Sequence, residues 1–264
     1  MGHIVFSLLL IITGLVNPES VYVIPALPSG SVYISEIGRF GVQDGQVCLI
    51  SDWKAPKLTP IATDLVDPKG IGFCQMKIWV ADVDRVVMID PPSGKEDVFG
   101  PTKFKPHPAF LNDICTTADM VYVSDTQKNV VYEIRKKKIK VFLKLKSPNG
   151  IEYNPEDGSL YIASYTRPGK VYKYKEGKLK LIYSSRDIDG ADGLALCASK
   201  DVLFISGYLS GKVIALNLSN GKILGKLDRL SNPADIAFDE RTNTLFIPEM
   251  SAGRVSEYRV VFRK

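Results

Sequence analysis

The sequence predicts an all-β fold, a six-bladed β-propeller, and three observations carry that prediction. Six segments of the 264-residue chain superpose at a period of about 40 residues, the length of one four-stranded blade. Each repeat holds the same succession of short runs rich in Val, Ile, Tyr and Phe, separated by turn residues, which is the pattern of strands. No segment keeps a helical period. The repeats follow one another without a linker, so residues 1–264 read as a single domain.

Each repeat opens on a short polar start that runs into an aliphatic residue. The starts are NPESV (17–21), DPKGI (67–71), LNDI (111–114), SPNGI (147–151), ADGL (191–194) and NPADI (232–236). A second strand then ends in a small or acidic residue: VYISE (32–36), IWVAD (78–82), VYVSD (121–125), LYIAS (160–164), LFISG (203–207) and LFIPE (245–249). The third strands are QVCLI (46–50), RVVMID (85–90), NVVYEI (129–134), KVYKY (170–174), KVIAL (212–216) and RVSEY (254–258). Turns such as EGK (176–178) and NGK (220–222) lead to weaker fourth strands, among them LTPIAT (58–63), KVFLKL (140–145), KLKLIY (178–183) and KILGKL (222–227).

The last repeat stops after its third strand, near Phe262. The apolar run at the other end of the chain, FSLLLIITGLVNPES (6–20), aligns with KLTPIATDLVDPKG (57–70) and so occupies a fourth-strand slot. Residues 4–13 are therefore expected to complete the last blade and close the ring, leaving no open sheet edge between first and last blades. The same run has the length of a secretory signal, but no Lys or Arg precedes it. It is too short and interrupted for a membrane span. The expected location is cytoplasmic, with secretion as the alternative if the run is a signal.

A net charge of +5 with acids and bases interspersed is no nucleic-acid footprint. The one basic run, Arg135 to Lys138 with Lys140, falls in a turn between third and fourth strands and reads as solvated. Four cysteines, Cys48, Cys74, Cys115 and Cys197, lack metal-ligand spacing and read as small buried hydrophobes of a reducing compartment. No nucleic acid or membrane partner is expected, and the protein is read as a monomer.

When the starts are aligned on Val21, Ile71, Ile114, Ile151, Leu194 and Ile236, the residues two places earlier are Glu19, Lys69, Asn112, Asn149, Asp192 and Ala234. Equivalent positions in a ring of blades point at one place, a mouth of the central channel. Glu19, Asn112, Asn149 and Asp192 are all hard oxygen donors, the set that suits calcium or another hard divalent cation. Gly70, Gly150 and Gly193 follow this slot and let backbones approach closely. Asp113 and Asp235 take the same place in two other blades and could accept hydrogen bonds from the ligand amides. Water held in a polar channel is the plainer alternative.

Glu19 in NPESV, Asn112-Asp113 in FLND, Asn149-Gly150 in PNG and Asp192-Gly193 in ADG resemble the senescence marker protein/gluconolactonase/luciferin-regenerating family, related to paraoxonase and diisopropyl fluorophosphatase. The resemblance covers nearly the whole chain. It implies a metal-dependent hydrolase of a lactone or related ester, with metal ligands at Glu19, Asn112, Asn149 and Asp192, and Asp192 as ligand or general base. Sugar lactonases of the family often place an Arg shortly before the Asn of the third blade. Here the neighbours are Ala109, Phe110 and Leu111, and a rim of Phe110, Phe40, Tyr165, Tyr208 and Met250 points to a more hydrophobic substrate. His107 is a candidate base by resemblance to paraoxonase-like sites, and otherwise a loop residue between prolines. Two other readings compete. VADVDR (80–85) and VSDTQKN (123–129) resemble the repeats of NHL-type binding propellers. A metal-free propeller resembling strictosidine synthase would need an unpaired carboxylate, which Glu36 or Glu249 could supply.

Overall fold

The computed structural model describes residues 2–24, 31–50 and 56–263. Its strands are β1 (His3–Thr13), β2 (Pro18–Ile24), β3 (Ser31–Glu36), β4 (Gly45–Ile50), β5 (Leu58–Leu65), β6 (Pro68–Cys74), β7 (Lys77–Asp82), β8 (Arg85–Asp90), β9 (Lys95–Phe99), β10 (Leu111–Thr116), β11 (Val121–Asp125), β12 (Val130–Arg135), β13 (Lys138–Lys144), β14 (Pro148–Tyr153), β15 (Leu160–Ser164), β16 (Gly169–Lys175), β17 (Lys178–Ser185), β18 (Ala191–Cys197), β19 (Val202–Gly207), β20 (Lys212–Asn217), β21 (Ile223–Leu227), β22 (Ala237–Asp239), β23 (Thr244–Glu249) and β24 (Arg254–Arg263). They form six antiparallel four-stranded sheets, the blades of a six-bladed propeller. Helical structure among the described residues is limited to three-residue 3-10 turns.

The predicted closure is present. β1 pairs antiparallel with β24, from His3 opposite Arg263 to Thr13 opposite Arg254, as the outer strand of the last blade. The ring is also latched at its centre. The Asp235 N–H donates to the Glu19 carbonyl oxygen at 2.9 Å, and the Val21 N–H donates to the Asp235 carbonyl oxygen at 3.3 Å.

The aligned aliphatic residues are the wedges between blades. Each of Val21, Ile71, Ile114, Ile151, Leu194 and Ile236 is buried and lies in a different apolar cluster, one for each blade–blade interface. Burying such a side chain stabilises by roughly 1.5–3 kcal/mol, which explains why the repeat holds this position so tightly.

Three predicted details behave as expected. Lys136 and Lys137 both take left-handed φ, 47° and 63°, in the two-residue turn between β12 and β13, the geometry of a tight hairpin. Arg135 pairs with Asp119 and Lys140 with Glu133, so the basic run is a solvated turn. All four cysteines are buried and free.

Candidate functional site

Each inner strand begins with a device that aims its slot residue. Asn17, Ser147 and Asn232 each precede a proline and adopt left-handed φ of 50°, 45° and 54°. The register then slips within the inner strand, between Pro18 and Ser20, Pro68 and Ile71, Leu111 and Ile114, Pro148 and Ile151, and Ala191 and Leu194. Such bulges re-aim side chains, and Glu19, Lys69, Asn112, Asn149 and Asp192 all sit in them.

The acidic residues that end the second strands hold the incoming loops. The Val16 N–H donates to Glu36, the Val66 and Asp67 N–H groups to Asp82, those of Ala109 and Phe110 to Asp125, and that of Ser231 to Glu249. The unpaired carboxylate required by a metal-free reading is therefore not supplied by Glu36 or Glu249. Glu36 also accepts from Gln46, and Glu249 accepts from Arg254 and Ser256.

The four slot donors are 2–5% exposed. Each leaves one buried side-chain oxygen without a hydrogen-bond partner: Glu19 Oε2, Asn112 Oδ1, Asn149 Oδ1 and Asp192 Oδ1. Buried polar groups are nearly always paired, so four orphans in equivalent places form an acceptor set that a cation, an ammonium or water would satisfy. Burial, with the charge of Asp192 second, pushes the Glu19 carboxyl well above its usual range. Burial and then Asp113 push Asp192 up to about 8. No group of three or more His, Cys, Asp and Glu among the described residues is placed to hold a metal. The slot has only two carboxylates, and its other two donors are amides.

The second blade breaks the pattern. Lys69 stands in the slot at 2% exposure. Its Nζ donates to the Asp67 carbonyl oxygen at 3.1 Å and lies 4.6 Å from the Phe110 ring centroid. Burial lowers its pKa, opposed by the charges of Glu19, Asp67, Asp82 and Asp192.

One residue further along, the chemistry changes. Asp113 accepts the N–H groups of Ile114 at 2.6 Å and Ile151 at 2.5 Å, and Asp235 accepts the Ser20 hydroxyl at 2.5 Å. These carboxylates bond the backbone and Ser20 rather than the slot amides. The glycines of this layer make the approach possible. A Cβ on Gly150 would run into the Asp192 carbonyl oxygen, and one on Gly193 into the backbone of Asp235.

Of the rim residues, Phe110 lies under Lys69. The rings of Tyr165 and Tyr208 are 6.2 Å apart, and both hydroxyls are raised mainly by burial, then by the charge of Asp192. Tyr208 also donates to the Met250 sulfur at 3.5 Å. Phe40 is 60% exposed, and His107 is exposed, with no hydrogen bond or ion pair among the described residues. A cavity of about 790 Å³ lies on the opposite side of the slot, lined by Tyr22, Phe73, Cys115, Glu152, Tyr153 and Phe238. It reaches Asp113 and Asp235 but none of the four slot donors.

No protein-family model and no curated protein sequence matches the chain. Solved structures do. A gluconolactonase from Xanthomonas campestris superposes with a TM-score of 0.71 at 13% identity, covering 95% of this chain and 89% of that one. A chain of a nidogen/laminin complex gives 0.68 at 14%, covering 89% and 99%. The Swd1 β-propeller domain of Myceliophteria thermophila gives 0.67 at 12%, covering 99% and 100%. These likenesses show the fold. The neighbours include an enzyme, a chain of a protein complex and a propeller domain, so the site must speak for the function.

Sequence reasoning passed over Lys69, although it stood in the aligned slot, a cation among oxygen donors. It also missed the loop-holding role of Asp82 and Asp125, whose signal was their recurrence at the ends of second strands.

Proposed function

We propose that the protein is a hydrolase of a lactone or related ester whose slot takes calcium or another hard divalent cation. The observation that supports this is the set of four buried, unbonded oxygens on Glu19, Asn112, Asn149 and Asp192, hard donors of the kind such cations take. A cation bound there would polarise the substrate carbonyl and acidify a water. Glu19, Asn112 and Asn149 would hold it. Asp192 is the residue to accept the water's proton, at a carboxylate oxygen that no hydrogen bond occupies. Phe110, Tyr165 and Tyr208 would exclude water and present an apolar surface to the acyl group. The likeness to a gluconolactonase supports this reading at the level of the fold.

A panel of lactones and aryl esters, assayed with and without chelator, tests it. Hydrolysis should require the cation, and Asp192→Asn should cost at least about 10²-fold, more than Asn149→Ala. Hydrolysis that ignores chelator would sink the cation. A second reading, a non-catalytic binding propeller, is favoured by the near-complete burial of the slot. Failure of the whole panel, with calcium bound, would move the assignment there.

A further inference from the structure

Five of the six slot positions are filled by four oxygen donors and Ala234. The remaining one, between Glu19 and Asn112 in ring order, is Lys69. It shares the inner-strand bulge of its neighbours and their burial. An ammonium has three N–H donors, and this one is held by a single carbonyl oxygen and the face of Phe110. The acids around it are not equivalent. Asp82 is engaged by Arg85 and by two backbone N–H groups. Glu19 and Asp192, by contrast, keep unbonded oxygens. Two carboxyl groups and one ammonium thus share a buried site. A lysine stem is long and flexible, so its point charge can move toward the carboxylates or retract over an aromatic ring.

We propose that Lys69 is the slot's own cation: without metal its ammonium is the counter-charge of Glu19 and Asp192, and a divalent ion enters only against it, so that Lys69 sets how tightly the slot takes calcium. This rests on the cation reading given above. Like-charge repulsion in a buried site is large enough to move an affinity by an order of magnitude or more.

Calorimetric titration with calcium, after stripping with chelator, compares the wild-type chain with Lys69→Met and Lys69→Arg. Lys69→Met should bind calcium at least about tenfold more tightly, and Lys69→Arg should not. Thermal unfolding in chelator supplies a second readout. Lys69→Met should melt below wild type, and Lys69→Met/Glu19→Gln should recover. Equal calcium affinity in wild type and Lys69→Met overturns the competition, and equal melting in chelator overturns the counter-charge. If no chain binds calcium, the cation reading falls, and melting alone decides Lys69: recovery in the double variant supports its role as counter-charge, and no recovery overturns it.

Discussion

Two adjacent layers of the channel wall carry buried carboxylates, and they are opposites. In the slot layer, Glu19 and Asp192 each keep an oxygen with nothing to accept from. One position further along the repeat, in other blades, Asp113 accepts two backbone N–H groups and Asp235 accepts a hydroxyl. Both layers are buried alike, so desolvation costs both. Only the second recovers part of that cost through hydrogen bonds. A carboxylate that bonds the neighbouring blade's backbone is a staple; one left unbonded at the same depth is open to a cation.

The sharpest way to break this comparison is to remove the space between the layers. Gly150→Ala would drive a methyl into the Asp192 carbonyl oxygen and should destabilise by about 3 kcal/mol or prevent folding, read by denaturant unfolding. Next comes the direct contrast. Asp113→Ala strands two buried N–H groups and should cost about 2 kcal/mol. Asp192→Asn loses no internal hydrogen bond and relieves a buried charge, so in chelator it should be neutral or stabilising. Equal losses in the two variants would erase the distinction between the layers.

The smallest effect concerns the cavity beyond Asp113. Burial raises the Glu152 carboxyl from the ordinary 4.5 to about 8, partly offset by the Leu196 N–H that donates to it at 3.3 Å. A raised carboxyl holds its proton more tightly in the folded chain. Its contribution is therefore complete below about pH 4.5 and is lost as the pH rises through about 8. The melting temperature should fall between pH 5 and 9, and less steeply in Glu152→Gln. An unchanged slope would remove Glu152 from the account.

The blades were legible because a wedge such as Ile71 or Ile151 must recur wherever two sheets meet, and a recurring residue can be aligned. The closing strand was legible because Leu8 to Ile12 matched a strand slot elsewhere in the chain. β9 escaped, since KEDVF offers little apolar surface and only its Phe99 is buried. The slot was legible as positions but not as a charge distribution. Alignment put Lys69 beside Glu19, but that its ammonium rests over Phe110 depends on packing between blades. The holding of loops by Glu36 and Glu249 was harder to see, because it joins residues 18 to 20 positions apart and its one trace was the recurrence of acids at the ends of second strands.

The double latch between first and last blades has a consequence for how the protein comes into being. Glu19 is synthesised before the other slot residues, yet its backbone is tied to Asp235, and the strand that precedes it is tied to residues up to Arg263. Contacts of such separation form late and slowly. A nascent chain would hold Asn112, Asn149 and Asp192 in finished blades while Glu19 still lacked its anchor. The donor ring therefore completes with the final blade, and binding at its centre would report that the whole circle has been made.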